Sequence, residues 1–374
     1  MKKVKQLLLI LIFCSFLIGC TETKILERIS LATLIGYDVA NENDENVTAT
    51  VIIRQVSPDN KSTLETQTNT EATNQGTRIK VNLQTAKKML AGQTHTILFG
   101  KNLAERGLEE PLHGLMMNSE LSSSIYLAVV DGDAKPLIEG NYKNITDIGQ
   151  HVYNLIDHNV QRQHTVSSTL HEVVRNNYSP LRDLAIPIIK KEKDIIKINA
   201  LAIFAGSKMV GQLTSEEAFY VIMLRDKFKA GALELKLPGD TLDQEKNTDE
   251  KLHVAIDSIQ SKRTIKLVDK STPEYDVEVD LACRIVELHS NANVGKPDVT
   301  KKLEKAIGKE IEKELKRIVK YTQEKNSDIF GFGDDYYASV RNSNLTEEKW
   351  NELYPNAKVN FKVNIEIVRN GVFE

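Results

Sequence analysis

The chain has 374 residues, more than one ordinary core organises, so two or three domains are expected. Hydrophobic residues make up 41% and charged residues 27%, a balance that excludes a disordered or fibrous chain and allows sizeable cores. The formal net charge is −3, and the first 19 residues hold Lys2, Lys3 and Lys5 with no acid, so the rest is more acidic still. That balance gives no bulk attraction to nucleic acid or anionic lipid, and any membrane attachment must rest on something other than overall basicity.

The chain opens MKKVKQLLLILIFCSFLIGC. Three lysines precede an apolar run over residues 7–18, too short for a spanning helix of about 20 residues. A basic start followed by a short apolar run reads as a signal peptide over residues 1–19. It ends in Leu17-Ile18-Gly19-Cys20, the pattern of a bacterial lipobox. Small Gly19 admits a peptidase, and the Cys20 thiolate is the nucleophile that takes a diacylglyceryl group. Each buried methylene contributes about 0.8 kcal/mol, so two acyl chains anchor firmly where one holds marginally. Besides Cys20, only Cys14 in the leader and Cys283 are present, so no intrachain disulfide framework is expected.

Residues 29–39 and 48–56 are rich in Val, Ile, Leu and Thr and read as strands, with a turn over 41–46. Residues 58–76 are almost wholly polar and read as an exposed loop. A short helix is expected over 83–90, a buried strand over 96–99, helices over 102–108 and 111–117, and a strand over 125–130. Apolar residues at helical spacing place helices over 144–159 and near 168–176. Residues 195–204 and 208–211 read as a hairpin around Ala205-Gly206-Ser207. Thr214 with Glu217 forms a capping box that opens another helix. Pro238-Gly239-Asp240 and the charged residues 243–251 mark a linker. Val277, Val279, Leu281, Cys283 and Ile285 alternate with polar residues, a half-buried strand with Cys283 on its apolar face. Residues 298–323 form a long helix whose stripe is Leu303, Ile307, Ile311, Leu315 and Val319. Gly308 interrupts its propensity at a cost of up to about 1 kcal/mol. Residues 359–367 alternate strictly and give a last strand.

These elements predict a mixed α/β and α+β protein of three consecutive domains after the signal peptide. The expected divisions are an N-terminal mixed α/β domain over 21–140, a middle α/β domain over 141–247, and a C-terminal α+β domain over 250–374. The last is a sheet covered by one long helix.

No constellation for catalysis stands out. There is no G-x-S-x-G, no phosphate-cradling loop with Lys-Ser/Thr, and no C-x-x-C pair. An enzyme is not expected, and neither is a cofactor. His151, His158, His164 and His171 are too widely spaced along a helix to share one ion, so no metal site is expected. Gly331-Phe332-Gly333-Asp334-Asp335 lacks the alternating oxygens of a calcium loop and reads as a turn with aromatic anchors. The Glu216-Glu217 pair is explained by the helix start it occupies.

After the lipobox, Glu27-Arg28-Ile29-Ser30-Leu31-Ala32 and Ile35-Gly36-Tyr37-Asp38 are similar to the opening of the Ger(x)C family. These are the C subunits of spore germinant receptors. The likeness continues through Ile97-Leu98-Phe99-Gly100, Leu103-Ala104, Gly107-Leu108, residues 200–204, and Lys208-Met209-Val210-Gly211-Gln212-Leu213. It goes on through Glu287, the long helix, Asp328-Ile329-Phe330-Gly331-Phe332-Gly333, Trp350 and Gly371. Thr21, where many members have Trp, and Gln212, in place of another Trp, mark a divergent member. The resemblance implies a lipid-anchored, noncatalytic subunit on the outer face of the spore inner membrane. It implies assembly with two multipass membrane subunits, A and B type, into a complex that triggers germination in response to nutrients. It carries over no catalytic residue, and Cys20 is the one residue given a role. The rival reading is a solute-binding lipoprotein of a transporter. That would need two similar lobes around an aromatic-lined cleft, whereas aromatics here are 6% with a single tryptophan, Trp350.

Overall fold

A computed structural model describes residues 29–40, 46–56, 62–71, 74–85, 87–225, 231–242, 251–290 and 292–368. The leader, Cys20, residues 41–45 of the turn expected over 41–46, residues 243–250 of the expected linker, and Gly371 lie outside these residues.

Among the described residues the first sheet has nine strands. Its path is β3 (Ser62–Glu71), β2 (Val47–Val56), β1 (Ile29–Val39), β5 (Thr96–Gly100), β6 (Tyr126–Val130), β7 (Ala185–Glu192), β8 (Ile195–Ala205) and β9 (Lys208–Thr214). Short β4 (Lys88–Leu90) runs parallel to the start of β1. The three strands β1, β5 and β6 are parallel, and both β5 and β6 are buried at every position. Burial on both faces is why they read as unbroken apolar runs rather than alternating ones. One face packs Ile35, Ile97, Phe99 and Leu127 against Leu103, Leu112 and Val173 from helices α2 (Lys101–Arg106), α3 (Glu109–Met116) and α6 (Leu170–Asn177). The other packs Leu34, Leu98 and Val130 against Leu137, Val152 and Ile156 from α4 (Ala134–Ile138) and α5 (Ile148–Gln161). At its middle the sheet narrows. β6 and β7 register at only Val129↔Ile188 and Val130↔Ile189, and residue 140 lies in the chain between those two strands.

The region over 58–90 differs from expectation. The polar stretch expected as a loop contains β3, an edge strand on β2, and the helix of this region is α1 (Asn74–Gln84), with Lys88–Leu90 a strand. β3 holds without an apolar face because its β-branched threonines suit the pleat. Thr48 and Thr50 also hydrogen-bond across to Thr70 and Thr68 at 2.9 and 3.3 Å.

Helix α7 (Ser215–Arg225) opens with the expected box. Thr214 Oγ1 accepts from the Glu217 N–H at 3.2 Å, and the Glu217 carboxylate accepts from the Thr214 N–H at 2.6 Å. Residues 218–224 are all buried, so α7 is apolar all round and sits inside the core it shares with the second sheet.

The second sheet runs β10 (Ala232–Leu237), β11 (Leu252–Asp269), β12 (Glu274–Leu288) and β13 (Lys358–Ile367), with the β12–β13 pair parallel. Helix α8 (Pro297–Glu324) covers one face, as the pattern predicts, and Leu303, Ile307, Ile311, Leu315 and Val319 are buried against it. Two helices, α9 (Phe332–Ser339) and α10 (Glu347–Leu353), follow α8 before β13. Glutamates of α8 reach the β13 backbone: Glu312 accepts from the Val363 N–H and Glu304 from the Ile367 N–H, both at 3.0 Å. Between them Gly308 passes the Val363 carbonyl so closely that a β-carbon would stand 2.9 Å from its oxygen. The glycine is there for close approach.

Candidate functional site

The residues singled out from sequence fall in separate places. Cys20 precedes the described residues, and β1 begins nine positions after it at Ile29. Cys283 is buried on β12, and burial pushes its thiol up to about 11, the setting of a core residue and not a nucleophile. His151 and His158 lie on α5, His164 past its end against Asn159 at 3.3 Å, and His171 on α6. Glu217, besides capping α7, pairs with Arg317 of α8.

The Gly331 run belongs to a polar joint that ties the two sheets together. Asp183 lies just before β7, Gly206 at the β8–β9 turn, and Asp328 in the loop after α8. The Asp183 carboxylate accepts from the N–H groups of Gly206 and Asp328, each at 2.7 Å. Asp328 is buried and takes four donors. One oxygen accepts from Gly331 N–H at 2.9 Å and Phe332 N–H at 3.2 Å. The other accepts from Gly333 N–H at 2.8 Å and Trp350 Nε1–H at 3.0 Å. Gly331 has φ of 83°, a left-handed backbone, and the Arg182 guanidinium lies where its side chain would be. Arg182 in turn pairs with Asp334 at 3.1 Å. Burial raises Asp183 to about 7 and Asp328 to about 6, against the pull of the surrounding N–H groups. With their oxygens occupied by backbone and indole donors, these acids fasten loops and are not presented to a ligand.

A second feature is a cleft of about 1080 Å³ where α1 and α3 stand over β1 and β2. Ile35, Tyr37, Ala49 and Val51 give it an apolar floor, with Tyr37 stacked 6.1 Å from Phe99 beneath. Arg78 and Glu120 pair across it at 3.0 Å, Arg78 also donates to Asn118 at 3.2 Å, and Glu120 accepts from the Ala91 N–H at 2.9 Å. Glu109, Glu110 and His113 of α3 stand at its rim. Such a site offers an apolar surface bounded by charge, suited to binding rather than bond chemistry. Sequence reading missed Arg78 and Glu120, which carry no motif. It also missed Asp183, which accepts from nearby Gly206 and from Asp328, 145 positions along the chain.

Several stretches on which the resemblance rests are the ones that build this framework. Asp38 at the end of β1 accepts from the N–H groups of Ala134 and Lys135 at 2.7 and 2.9 Å, and Gly100 leaves room for that carboxylate. Asp328 and Trp350 are bonded to each other. Residues 22–191 match the family described as spore germination protein N-terminal domain, and residues 199–371 match spore germination B3/GerAC like, C-terminal. The spore germination protein GerQC of Bacillus cereus is 26% identical over 372 residues, covering 99% of this chain and 100% of that protein. A crystal structure of the GerBC protein shares the fold with a TM-score of 0.55 at 16% identity, covering 90% of this chain and 97% of that one. With both halves matched in order and the whole length aligned, the chain belongs to the Ger(x)C family of spore germination proteins.

Proposed function

We propose that this chain is the lipid-anchored C subunit of a nutrient germinant receptor. It is held on the outer face of the spore inner membrane by a diacylglyceryl group on Cys20, and it assembles there with two multipass subunits of A and B type. The observation that carries the reading is the Leu17-Ile18-Gly19-Cys20 box standing directly ahead of two matched family halves. No helix among the described residues is long and apolar enough to cross a membrane, so in this reading the attachment is through acyl chains. Confinement to one surface raises the subunit's effective concentration near its partners. The role is assembly and signalling without catalysis. In this reading three units, over 21–140, 141–247 and 250–374, serve as the docking modules.

The test is a gene deletion and a Cys20→Ala allele in the spore former, scored by dipicolinic acid release across a nutrient panel. A nutrient-specific germination defect in both is expected. Normal germination on every nutrient, with altered uptake of one solute, would instead identify the transporter lipoprotein.

A further inference from the structure

Charge on helix α8 alternates in sign along the sequence but is segregated in the fold. Residues 301–320 hold seven lysines, one arginine and four glutamates. Every exposed position in that span is Lys or Arg, and all four glutamates are half-buried. Glu304 and Glu312 turn to the β13 backbone, where they accept from the Ile367 and Val363 N–H groups. Glu310 holds Lys313 at 2.7 Å, and Glu314 holds Arg317 at 2.8 Å, which also reaches Glu217 of α7. The acids are thereby drawn to the flanks of the helix, and a basic ridge is left outward. Lys302, Lys313 and Arg317 have partners of their own. Lys301, Lys305, Lys309, Lys316 and Lys320 are exposed, and among the described residues none of these five is in an ion pair. Steps of four residues, and one of seven, keep them on one side of the helix over about 28 Å.

The make-up of the ridge singles out its occupant. No large hydrophobic side chain of α8 is exposed. Protein–protein interfaces anchor on aromatic and arginine side chains and are poor in lysine. A lysine is a point charge on a flexible stem, suited to phosphates whose positions are not fixed in advance. A straight row of lysines, with neither a pocket nor an apolar anchor, is complementary to a flat and fluid anionic surface. With acyl chains on Cys20, such a surface never leaves the chain's reach. Ile29 follows Cys20 by nine residues, a tether of at most about 30 Å on which the folded part can turn any face to the bilayer.

We propose that the lysine ridge of α8 lies along the anionic head groups of the bilayer and sets the orientation of the tethered subunit. This inference rests on the lipid-anchored reading above. The acyl chains supply retention, and the ridge supplies direction. In the docked orientation α8 faces the lipid, and the outer face of β11 and β12, on the far side of the second sheet, points away from it. Each lysine near the surface favours that orientation roughly fivefold, and the contact weakens as salt screens it.

The test is lysine footprinting of the full lipidated chain. The protein is placed on vesicles of phosphatidylcholine with phosphatidylglycerol, or of phosphatidylcholine alone, and treated with an amine-acetylating reagent. Mass spectrometry then reads the labelling rate at each lysine. Exposed Lys262 and Lys266, on the outer face of β11, are the internal controls. On anionic vesicles, labelling of Lys301, Lys305, Lys309, Lys316 and Lys320 is expected to slow roughly tenfold or more, with the controls unchanged. The protection should vanish on phosphatidylcholine alone and in 1 M salt, where the screening length is about 3 Å. Combining Lys305→Gln, Lys309→Gln and Lys316→Gln is expected to weaken docking on the order of 100-fold and return Lys301 and Lys320 to full labelling. If the protein floats with anionic vesicles but the ridge labels as fast as the controls, the docking is overturned and the anchor stands. If protection is equal on phosphatidylcholine alone and indifferent to salt, the anionic contact is overturned. If protection appears only when the multipass subunits are reconstituted with the chain, the ridge is a protein interface and the lipid contact is overturned. If the chain fails to float, the anchored reading falls and this inference with it.

Discussion

Each oxygen of Asp328 meets two N–H donors, and each of Asp183's meets one. An amide in place of the Asp328 carboxylate would turn an NH2 group toward two donors and leave them unpaired in a buried site. At pH 8, where the native side chain is a carboxylate, Asp328→Asn is therefore expected to cost about 3 kcal/mol, read as a lower urea midpoint with Trp350 fluorescence as the probe. The two acids also set a pH dependence. Their folded values, about 7 and about 6, stand above the ordinary 3.8, so the folded chain holds protons that the unfolded chain has released. Stability from these groups is full below about pH 4 and is lost as pH rises through 6 to 7. Between pH 5 and 8 the stability of Asp183→Asn should therefore change less in that direction than that of the unsubstituted chain; an identical slope in both would refute the assignment. The turn at Gly331 was legible in sequence from its two glycines among aromatics. Its attachment to Asp183 was not, because the bonded residues are 145 positions apart and nothing local at Asp183 announces a partner.

At the scale of elements, the α8–β13 contact reverses a propensity argument. Gly308→Ala would gain up to about 1 kcal/mol of helix propensity in an exposed helix. Here the added carbon meets the Val363 oxygen, a backbone atom of a strand already held by Glu304 and Glu312. The expected outcome is a lower Tm by circular dichroism; a higher one would show that the helix can shift outward freely. The glutamates also cover N–H groups of a strand at the sheet's edge, where an open row would template association. The α8 stripe and the β12 and β13 alternations were readable because one face of each is wet and the other dry. β3 was not, since its threonines and glutamines repeat no apolar period. β11 was hidden for another reason. Its buried residues run 252, 254, 256 and then 259, because a register shift between Asp257 and Gln260 changes the phase. The cleft residues lay beyond reach, since Arg78 and Glu120 come together only when α1 and the loop after α3 are placed over one sheet.

Across the whole molecule, the stretches shared with the Ger(x)C family carried the broad reading, and the two sheets supply its architecture. They are joined through α7, through Arg317 with Glu217, and through Ser327, which donates to the Phe204 carbonyl beside the Asp183–Asp328 joint. That joint has a consequence for how the chain is made. Synthesis proceeds from the N-terminus, so Asp183 and Gly206 exist long before the ribosome reaches Asp328. Until then the Asp183 oxygen that accepts from the Asp328 N–H lacks that donor. Only when the last third of the chain arrives can the loop at 325–333 close over it, and a product truncated anywhere before that loop keeps an open, charged seam on its first sheet.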